Sequence, residues 1–231
     1  MKTWIHSFFS ILFPKYCPVC GCILYEENFF CIKCDLDLPR THFHLNRDNS
    51  LESQFWGKVD IQRATAYFYY RKGSPYRELL YALKYRGQKE LGQKLGARIA
   101  TEISESDFFD SIDLLIPVPL HKNRYKERGY NQSEQIAIGI SKVTGIPVET
   151  GVIIRQQQTE TQTRKSHYAR LENMEGVFEL SPLCNCDNKH VLLIDDIITT
   201  GATITSCARV LQTNLHNIKI SILAIGFVPA S

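Results

Sequence analysis

The chain has 231 residues, enough for one complete α/β domain with a small additional module. Apolar residues make up 44% of the chain and aromatic residues 11%, which excludes an intrinsically disordered protein. The net charge is only +3, with 27 basic residues against 24 acidic ones, so the overall charge does not indicate a nucleic-acid-binding protein.

The first predicted element is an amphipathic helix at the N-terminus. Apolar side chains at positions 4, 5, 8, 9 and 12 fall on one helical face. The segment begins like a signal peptide, but His6, Ser7 and Ser10 interrupt its apolar run and no small-residue cleavage site follows. We expect the helix to pack against its own protein, with attachment to a membrane surface as the alternative. No stretch of the sequence is predicted to span a bilayer.

A cysteine cluster follows, arranged as two Cys-x-x-Cys pairs with ten residues between them. The four residues are Cys17, Cys20, Cys31 and Cys34. Two such pairs supply the four thiolates that a tetrahedral structural Zn²⁺ prefers. Because the chain has no convincing export signal, the cluster indicates metal binding in a reducing cytoplasm and not a disulfide framework. We therefore predict a compact zinc ribbon whose two arms are brief hairpins, with Gly21 giving the first pair its backbone freedom.

The other cysteines receive no function from the sequence. Cys22 lies beside the first pair and could compete as a ligand, but the symmetrical assignment leaves it as a buried or semi-exposed thiol. Cys184 and Cys186 lie in a turn-rich loop, and Cys207 lies in a predicted helix, with no second pair near any of them. A thioredoxin-like redox role is less favoured, since no βαβ pattern surrounds the paired cysteines.

Downstream of the cysteines, a polar, irregular connector over residues 38–60 leads to alternating strands and helices. The predicted strands cover residues 64–70, 112–118, 148–154, 176–180, 190–194 and 218–228. The predicted helices cover a stretch from Ser74 to Ile99 and then residues 132–143 and 203–211. This alternation is typical of a parallel α/β sheet with helices on both faces. We expect two units: residues 1–50 with the amphipathic helix, ribbon and connector, and an α/β domain over residues 51–231.

The most specific functional signal runs from Val191 to Thr203. An apolar strand is predicted to end in Asp195 and Asp196 and to be followed by a hydroxyl-rich loop and a helix. The loop residues are Thr199, Thr200, Gly201, Ala202 and Thr203. Ligands of open α/β sheets bind outside the carboxyl ends of strands, and such a loop can offer amides and hydroxyls to one phosphate. The carboxylates would repel a phosphate, but they suit vicinal hydroxyls and can help to hold Mg²⁺.

Ribose 5-phosphate carries both kinds of group, and rival sites explain the pattern less well. The chain has no Gly-x-x-x-x-Gly-Lys-Ser/Thr motif for a P-loop and no Gly-x-Gly-x-x-Gly motif for a dinucleotide. An Asp pair at a strand end also occurs in phosphoacceptor and hydrolase sites. Those sites do not require the Thr-Thr-Gly-Ala-Thr sequence that follows here.

The segment from Val191 to Thr203 resembles the thirteen-residue signature of type I phosphoribosyltransferases. From Cys17 to the last strand, the chain resembles the ComF/GntX family, whose cytoplasmic members carry a Cys₄ ribbon before this domain. The resemblance implies a Rossmann-like, parallel-sheet phosphoribosyltransferase domain that binds 5-phosphoribosyl 1-diphosphate with Mg²⁺. It assigns Asp195 and Asp196 to the ribose and Mg²⁺, and the loop over residues 199–203 to the 5-phosphate.

The resemblance also extends to two basic segments. Residues 117–121, with Pro119 and Leu120, and residues 128–132 resemble the family's pyrophosphate loop and the helix start behind it. The basic side chains placed to stabilise a departing pyrophosphate are Lys122, Arg124 and Arg128. The residues that resemble the flexible flap over the sugar are Arg155, Thr161, Gln162 and Arg170, and closure of that flap would exclude water.

Two functions remain open from the sequence. One is transfer of the phosphoribosyl group to an acceptor that the sequence does not identify, since no residue stands out as a general base. The other, implied by the resemblance, is a non-catalytic accessory role in competence and DNA uptake, with contacts to single-stranded DNA and to competence or recombination proteins. The aromatic residues named as candidates to stack on bases are Phe29, Phe30, Phe43 and Trp56, although packing beneath the zinc is the favoured interpretation for the first two.

Overall fold

The computed structural model describes residues 15–24, 28–85, 89–156 and 177–229. The strands are Lys15–Tyr16 (β1), Ile23–Leu24 (β2), Arg63–Tyr69 (β3), Leu114–Pro117 (β4), Ile153–Arg155 (β5), Phe178–Leu180 (β6), His190–Ile198 (β7) and Lys219–Phe227 (β8). The α-helices are Ile32–Leu36 (α1), Arg77–Tyr85 (α2), Lys89–Ile103 (α3), Lys122–Arg128 (α4), Gln132–Thr144 (α5) and Ala202–Asn214 (α6). No helix within these ranges is long and apolar enough to cross a membrane. The predicted N-terminal helix lies outside the described residues.

Four parallel strands form the central sheet, in the order β3-β8-β7-β4. β7 pairs with β8 along its whole length, as far as Ile198 opposite Phe227. β4 is shorter, and its last pair with β7 is Pro117 opposite Ile194. The two central strands are almost entirely buried, as expected for a parallel sheet that is covered on both faces. The predicted α/β class with a parallel sheet is therefore confirmed.

Two apolar cores lie on opposite faces of this sheet. Helices α2, α3 and α5 cover one face and bury Leu83, Ile99 and Ile136 together with residues of the cysteine module. Helix α6 covers the other face and buries Cys207 and Leu211. Over residues 191–194 the side chains of β7 alternate between the two cores, with Val191 and Leu193 on the α6 side and Leu192 and Ile194 on the other.

The predicted strand over residues 148–154 is wrong. Val148 makes only an isolated parallel bridge to Leu115, and the strand that forms is the shorter β5, paired antiparallel with β6. Between the bridge and β5 the chain turns at Gly151, whose φ of 79° is incompatible with an extended strand. The apolar residues on both sides of this turn produced the appearance of one continuous strand.

The segment before β3, predicted as a polar, irregular connector, forms no α-helix or named strand over residues 38–60, but it packs against the sheet. Phe55 is buried in the core on the α6 face. The edge of β3 is covered by buried polar side chains: the amide of Ala64 donates to Glu52 Oε1 at 2.9 Å, and Asn49 Nδ2 donates to the carbonyl of Ala64 at 3.0 Å. Unpaired edge groups thus find partners within the chain. The division of the chain at residue 50 stays a prediction.

Candidate functional site

The four paired cysteines converge on one point. The Sγ atoms of Cys17, Cys20, Cys31 and Cys34 all lie within 4.8 Å of one another. Cys20 Sγ and Cys31 Sγ are 3.7 Å apart. Four soft thiolates at this spacing can hold a zinc ion and leave no open position for water, which is typical of a structural site.

The two arms of this cluster differ from the predicted pair of hairpins. The first arm is the hairpin of β1 and β2, in which the amide of Cys17 donates to the carbonyl of Cys22 at 2.8 Å. Its turn passes through Gly21 with a φ of 73°, as predicted for the backbone freedom of this residue. The second arm is the start of α1, where Cys31 is the N-cap and its Sγ accepts a hydrogen bond from the amide of Cys34. At i, i+3 spacing, the first turn of this helix brings the two thiols of the second pair to one side.

Hydrogen bonding within the cluster favours the thiolate form at two of its positions. The backbone amide of Cys22 lowers the pKa of Cys20 to about 6, and the amide of Cys34 lowers the pKa of Cys31. Hydrogen bonding to Cys20 raises the pKa of Cys22 to about 12, so Cys22 stays protonated. Cys22 is exposed and lies outside the four-cysteine group, and nothing assigns it as a ligand.

Hydrogen bonds and ion pairs join the cysteine cluster to the α/β domain. Tyr76, just before α2, donates from its hydroxyl to the carbonyl of Cys34 at 2.9 Å. Arg40 contacts both sides of the junction, with Nη2 2.7 Å from Asp35 Oδ1 and Nε 2.7 Å from Glu102 Oε1. Asp35 directly follows the last cysteine, and Glu102 lies on α3. The cluster is therefore anchored to the same helices that cover the sheet.

The acidic pair lies where β7 extends beyond β4. The predicted strand over residues 190–194 is too short: β7 continues to Ile198, because its pairing with β8 persists after the pairing with β4 has ended at Ile194. The two carboxylates therefore belong to a strand that is covered by β8 on one side only. This open edge is the position at which ligands of parallel α/β sheets bind.

Asp195 is held in a desolvated position. Its Oδ1 accepts hydrogen bonds from the amide of Asp196 at 2.8 Å and from Ser133 Oγ, in the first turn of α5, at 3.4 Å. Burial, with the negative charge of Asp196 acting in the same direction, raises the pKa of Asp195 to about 7. In the ligand-free protein, this carboxyl group thus retains its proton to a much higher pH than an ordinary aspartate.

Asp196 faces a different helix and has a cationic partner. Its Oδ2 lies 2.7 Å from Nζ of Lys84, in the last turn of α2, and both side chains are mostly buried. Lys84 and Ser133 were not predicted from the sequence. Both residues come to the acidic pair from other helices, and no local motif connects them with it.

The predicted phosphate loop encloses a small cavity. Gly201 has a φ of 73° and immediately precedes α6, and the described structure shows no side-chain hydrogen bond from this N-cap residue. The amide of Ala202 donates to Thr200 Oγ1 at 3.4 Å. A cavity of about 40 Å³ is lined by Asp195 and by residues 197–204, which include all five predicted loop residues. The structure thus brings the acidic pair and the loop together, although binding of a phosphate here stays a prediction.

The back of this loop is formed by the segment before β3. A Cβ added at Gly201 would lie 3.0 Å from Cε1 of the buried Phe55 and 3.6 Å from Oε1 of Gln54. That Gln54 oxygen is buried and has no hydrogen-bond partner among the described residues. Phe55 and Gln54 were missed because their sequence neighbours read as a polar connector. Any other residue at position 201 would therefore strain the loop.

The predicted pyrophosphate loop is partly helical, which corrects the sequence expectation. Pro119 and Leu120 are half-buried in an irregular turn, and α4 then begins after His121, whose Nδ1 accepts a hydrogen bond from the amide of Asn123. Lys122 and Arg124 lie on this short helix, which has no buried residue. The helix carries four basic side chains and one acidic one, so its exposed surface is strongly positive. Its C-terminus is fixed by a glycine in the left-handed region.

Arg128, the last residue of α4, is half-buried. Its Nη1 donates to Gln132 Oε1 at 2.8 Å, and its guanidinium lies over the ring of Tyr85 at 5.2 Å from the centroid. Among the predicted basic residues, Arg128 thus connects α4 to the helix that carries Lys84. Lys122 and Arg124 are exposed.

Arg155 is the one predicted flap residue within the described ranges. Its guanidinium lies over the ring of Phe178 at 5.3 Å, and burial lowers its pKa, with the positive charge of Arg124 acting in the same direction. The charge of Asp195 opposes these effects. Arg155 is therefore close enough to both the basic helix and the acidic pair to sense their charges. Thr161, Gln162 and Arg170 lie outside the described residues.

The aromatic residues proposed for base stacking are mostly inaccessible. Phe30 and Phe43 are buried, and Phe29 is half-buried against Phe30 at 4.6 Å. Trp56 is 60% exposed. Four further rings are exposed and were not identified from the sequence: Tyr16 on β1, Tyr81 and Tyr85 on α2, which are 4.8 Å apart, and Tyr125 on α4.

Known proteins resemble the chain over most of its length. DNA utilization protein YhgH of Escherichia coli (strain K12) is 26% identical over 201 residues, which cover 86% of this chain and 84% of that protein. Competence protein ComFC of Bacillus subtilis (strain 168) is 28% identical over 195 residues, which cover 84% of this chain and 70% of that protein. Competence protein F of Haemophilus influenzae is 34% identical over 101 residues, which cover 43% of this chain and 44% of that protein. These relatives confirm the family resemblance that the sequence indicated.

Similarities to solved structures are weaker, and no family model matches the chain. A glutamine phosphoribosylpyrophosphate amidotransferase from B. subtilis, complexed with ADP and GMP, is 22% identical with a TM-score of 0.38. The match covers 57% of this chain but only 25% of the amidotransferase. A hypoxanthine phosphoribosyltransferase from Staphylococcus aureus is 16% identical with a TM-score of 0.32, and the match covers 60% of this chain and 62% of that one. Likeness at these scores does not decide the function.

Proposed function

We propose that this chain, which resembles competence protein ComFC and DNA utilization protein YhgH over most of its length, binds 5-phosphoribosyl 1-diphosphate with Mg²⁺ and transfers its phosphoribosyl group to an acceptor. The observation that carries the proposal is the direct junction of an acidic pair with a phosphate-sized loop. Asp195 lines the same small cavity as residues 199–203. A ligand with a phosphate at one end and hydroxyls at the other suits this junction.

The loop supplies the contacts for the 5-phosphate. The N-terminus of α6 offers backbone amides and the positive end of the helix dipole, and the hydroxyls of Thr199, Thr200 and Thr203 surround it. Gly201 keeps the backbone close to the bound group, with Phe55 behind it. The N-cap residue Gly201 has no side chain that could accept from the first helical amides, and a phosphate in this cavity would accept from them.

The carboxylates would orient the sugar. Asp195 and Asp196 present acceptor oxygens on the open edge of β7, where ribose hydroxyls can donate hydrogen bonds to them. Carboxylate oxygens are also the ligands that Mg²⁺ prefers, directly or through water, so the donor set fits this metal. When bound, Mg²⁺ neutralises part of the negative charge of the diphosphate.

The basic residues would act on the leaving group. As the acceptor forms its bond to C1 of the ribose, the bond from C1 to the diphosphate breaks, and negative charge accumulates on the departing pyrophosphate. Lys122 and Arg124 are exposed cations on α4, and Arg155 is near enough to Arg124 and Asp195 for its pKa to respond to both. Charge-assisted hydrogen bonds from such groups stabilise a leaving pyrophosphate.

A thermal-shift series with four compounds tests the proposal. With Mg²⁺ present, 5-phosphoribosyl 1-diphosphate should stabilise the protein most, because it uses the loop, the carboxylates and the basic residues together. Ribose 5-phosphate and pyrophosphate should give smaller shifts, and inorganic phosphate the smallest. At a ligand concentration of about 100 times Kd, the stabilisation is about 2.7 kcal/mol. Equal shifts for all four compounds would contradict the proposal, because they would indicate a site for anions in general.

Single-stranded DNA binding is a second candidate function, favoured by one surface. This surface, the tyrosine–basic surface, consists of Tyr81, Tyr85, Tyr125, Arg124 and Lys126. The three tyrosine rings are about half exposed. The guanidinium of Arg128, on α4, stacks on the ring of Tyr85, on α2, and so brings the two helices into contact. Exposed aromatic rings beside cations are the usual contacts for bases and backbone of a single strand.

Anisotropy of a fluorescent oligothymidylate tests this second candidate. Tyr81→Ala/Tyr85→Ala should weaken binding by about 1–3 kcal/mol for each lost stacked base. Arg124→Gln/Lys126→Gln should reduce the dependence of affinity on salt concentration. Trp56→Ala is the matched control, since Trp56 is exposed but belongs to another surface. Binding that is weakened only by Trp56→Ala would place the DNA elsewhere on the protein.

A further inference from the structure

The ion pair between Lys84 and Asp196 is the one contact of the acidic pair with a cation in the described structure. Nζ of Lys84 lies 2.7 Å from Asp196 Oδ2, and the two side chains are only 23% and 19% exposed. Surface lysines more commonly extend into solvent and exchange partners. Here the ammonium is directed toward a carboxylate that the proposed function assigns to the ligand.

The helix that carries Lys84 is fixed at this end. The hydroxyl of the buried Tyr130 donates to the carbonyl of Leu83 at 2.6 Å, which satisfies a carbonyl in the last turn of α2. Leu79 and Leu83 anchor the inner face of the helix in the core. A cation in the last turn is also stabilised by the negative end of the helix dipole. The position of the Lys84 ammonium is therefore built into the fold.

This placement has a consequence for any divalent cation at the acidic pair. A metal ion that binds Asp196 would approach an ammonium held 2.7 Å from the same carboxylate. Two positive charges at such separations repel strongly in a partly buried site, where water screens them less. Lys84 already occupies Oδ2, so a metal ion that binds Oδ1 of the same carboxylate would lie close to the ammonium.

We infer that Lys84 is a positioning residue that neutralises Asp196 in the free protein and competes with divalent metal ions for it. The inference rests on the proposed function, because it assumes that Asp196 belongs to the metal and sugar site. The lysine keeps Asp196 in place for the ligand and prevents a metal ion from binding at the pair without the diphosphate. When the diphosphate enters, its negative charge offsets the repulsion between Lys84 and an accompanying metal ion.

Binding of Mn²⁺ to the zinc-loaded protein, measured by electron paramagnetic resonance without any phosphate compound, tests this inference. Zinc keeps the cysteine cluster occupied, so Mn²⁺ is directed to carboxylate sites. Lys84→Met should bind Mn²⁺ at least about tenfold more tightly than the wild type, since repulsion between close charges of this kind exceeds 1.4 kcal/mol. Lys84→Arg retains the charge and should behave like the wild type. Lys89→Met, at an exposed position at the start of α3, is the matched control and should change nothing.

The double variant Lys84→Met/Asp196→Asn decides whether the gain occurs at Asp196. The inference predicts that this variant loses the tighter Mn²⁺ binding. No gain in Lys84→Met, or a gain that persists in the double variant, would overturn it. If Lys84→Met does not fold, as judged by circular dichroism, Lys84→Gln provides the same test with a polar side chain.

These outcomes are separable from a failure of the proposed function. A wild type that does not bind 5-phosphoribosyl 1-diphosphate, together with the Mn²⁺ gain in Lys84→Met, would refute the proposed ligand and retain the role of Lys84 at the acidic pair. Binding of the diphosphate without any Mn²⁺ gain would retain the ligand and refute the role of Lys84.

Discussion

Phe55 lies directly against Gly201, so that a Cβ at position 201 would come within 3.0 Å of the phenyl ring. The contact joins the segment before the sheet to the loop that we assign to the phosphate. It also makes the glycine necessary for two independent reasons, its φ of 73° and the absence of space for a methyl group.

Gly201→Ala should therefore destabilise the protein and impair ligand binding together. A left-handed non-glycine residue costs about 1–2 kcal/mol, and overpacking against a core ring adds about 1–3 kcal/mol. Gly145→Ala is the control, because Gly145 has a φ of 74° but nothing within 4 Å of the added Cβ. Urea unfolding should show the larger loss for Gly201→Ala. Equal losses in the two variants would mean that Phe55 does not press on the loop.

Asp195→Asn should stabilise the ligand-free protein at neutral pH. Burial and the charge of Asp196 raise the pKa of Asp195 to about 7, well above the ordinary value of an aspartate in the unfolded chain. The unfolded state thus loses this proton at a lower pH than the folded state does. The contribution of Asp195 to stability is greatest below pH 4 and declines as the pH rises to about 7.

The difference in unfolding free energy between Asp195→Asn and the wild type, measured at pH 5 and pH 8 without metal, isolates this effect. The wild type should lose about 1–3 kcal/mol relative to the variant over this interval, since each pKa unit corresponds to about 1.4 kcal/mol. Asp110→Asn, at an exposed aspartate, should show no such trend. A constant difference across the interval would show that Asp195 is already ionised in the folded protein at low pH.

Removal of one paired cysteine should abolish zinc binding and loosen the N-terminal module. Cys34→Ser removes a buried thiol from the four-cysteine group, so we expect loss of zinc and a lower melting temperature. The backbone carbonyl of Cys34, which accepts the Tyr76 hydroxyl, is retained in this variant. Cys22→Ser should retain zinc, because Cys22 lies outside the four-cysteine group. Metal analysis and thermal unfolding of both variants check this. Zinc loss in Cys22→Ser would mean that the fifth cysteine is a ligand.

Arg40→Met should weaken the junction between the cysteine module and α3. The Arg40 side chain is 17% exposed and pairs with both Asp35 and Glu102, so its removal leaves two carboxylates without their main partner. We expect a loss of about 1–3 kcal/mol in unfolding free energy. Arg98→Met is the comparison, since Arg98 contacts the same carboxylates from a more exposed position and should cost less than about 1 kcal/mol. A larger loss of unfolding free energy in Arg98→Met than in Arg40→Met would mean that Arg98, and not Arg40, is the main contact at this junction.

The features that the sequence predicted well are those whose residues are close together in the chain. The cysteine spacing, the apolar strand before Asp195 and the glycine after the threonines are each encoded within about a dozen residues. Local geometry is enough to bring such groups together. The alternation of strands and helices is similarly local, and it was sufficient to predict a parallel α/β sheet.

The features that were missed depend on tertiary placement or on small backbone changes. Lys84 and Phe55 reach the site from distant parts of the chain, and their own neighbours carry no signal for it. The helix that begins at Lys122 was predicted as a loop, because its seven mostly basic and polar residues include no buried one and show no apolar periodicity. The turn at Gly151 divided a run of apolar residues that reads as one strand.

Titration calorimetry of 5-phosphoribosyl 1-diphosphate with Mg²⁺ tests the central claim most directly, on the wild type, on Asp195→Asn/Asp196→Asn and on Asp110→Asn. The account predicts micromolar binding to the wild type and to Asp110→Asn, and a loss of binding in the double variant, whose shape is conserved but whose carboxylates are gone. Absence of binding to a folded, zinc-loaded wild type, or equal binding to the double variant, would contradict the assignment of the acidic pair and its loop to this ligand.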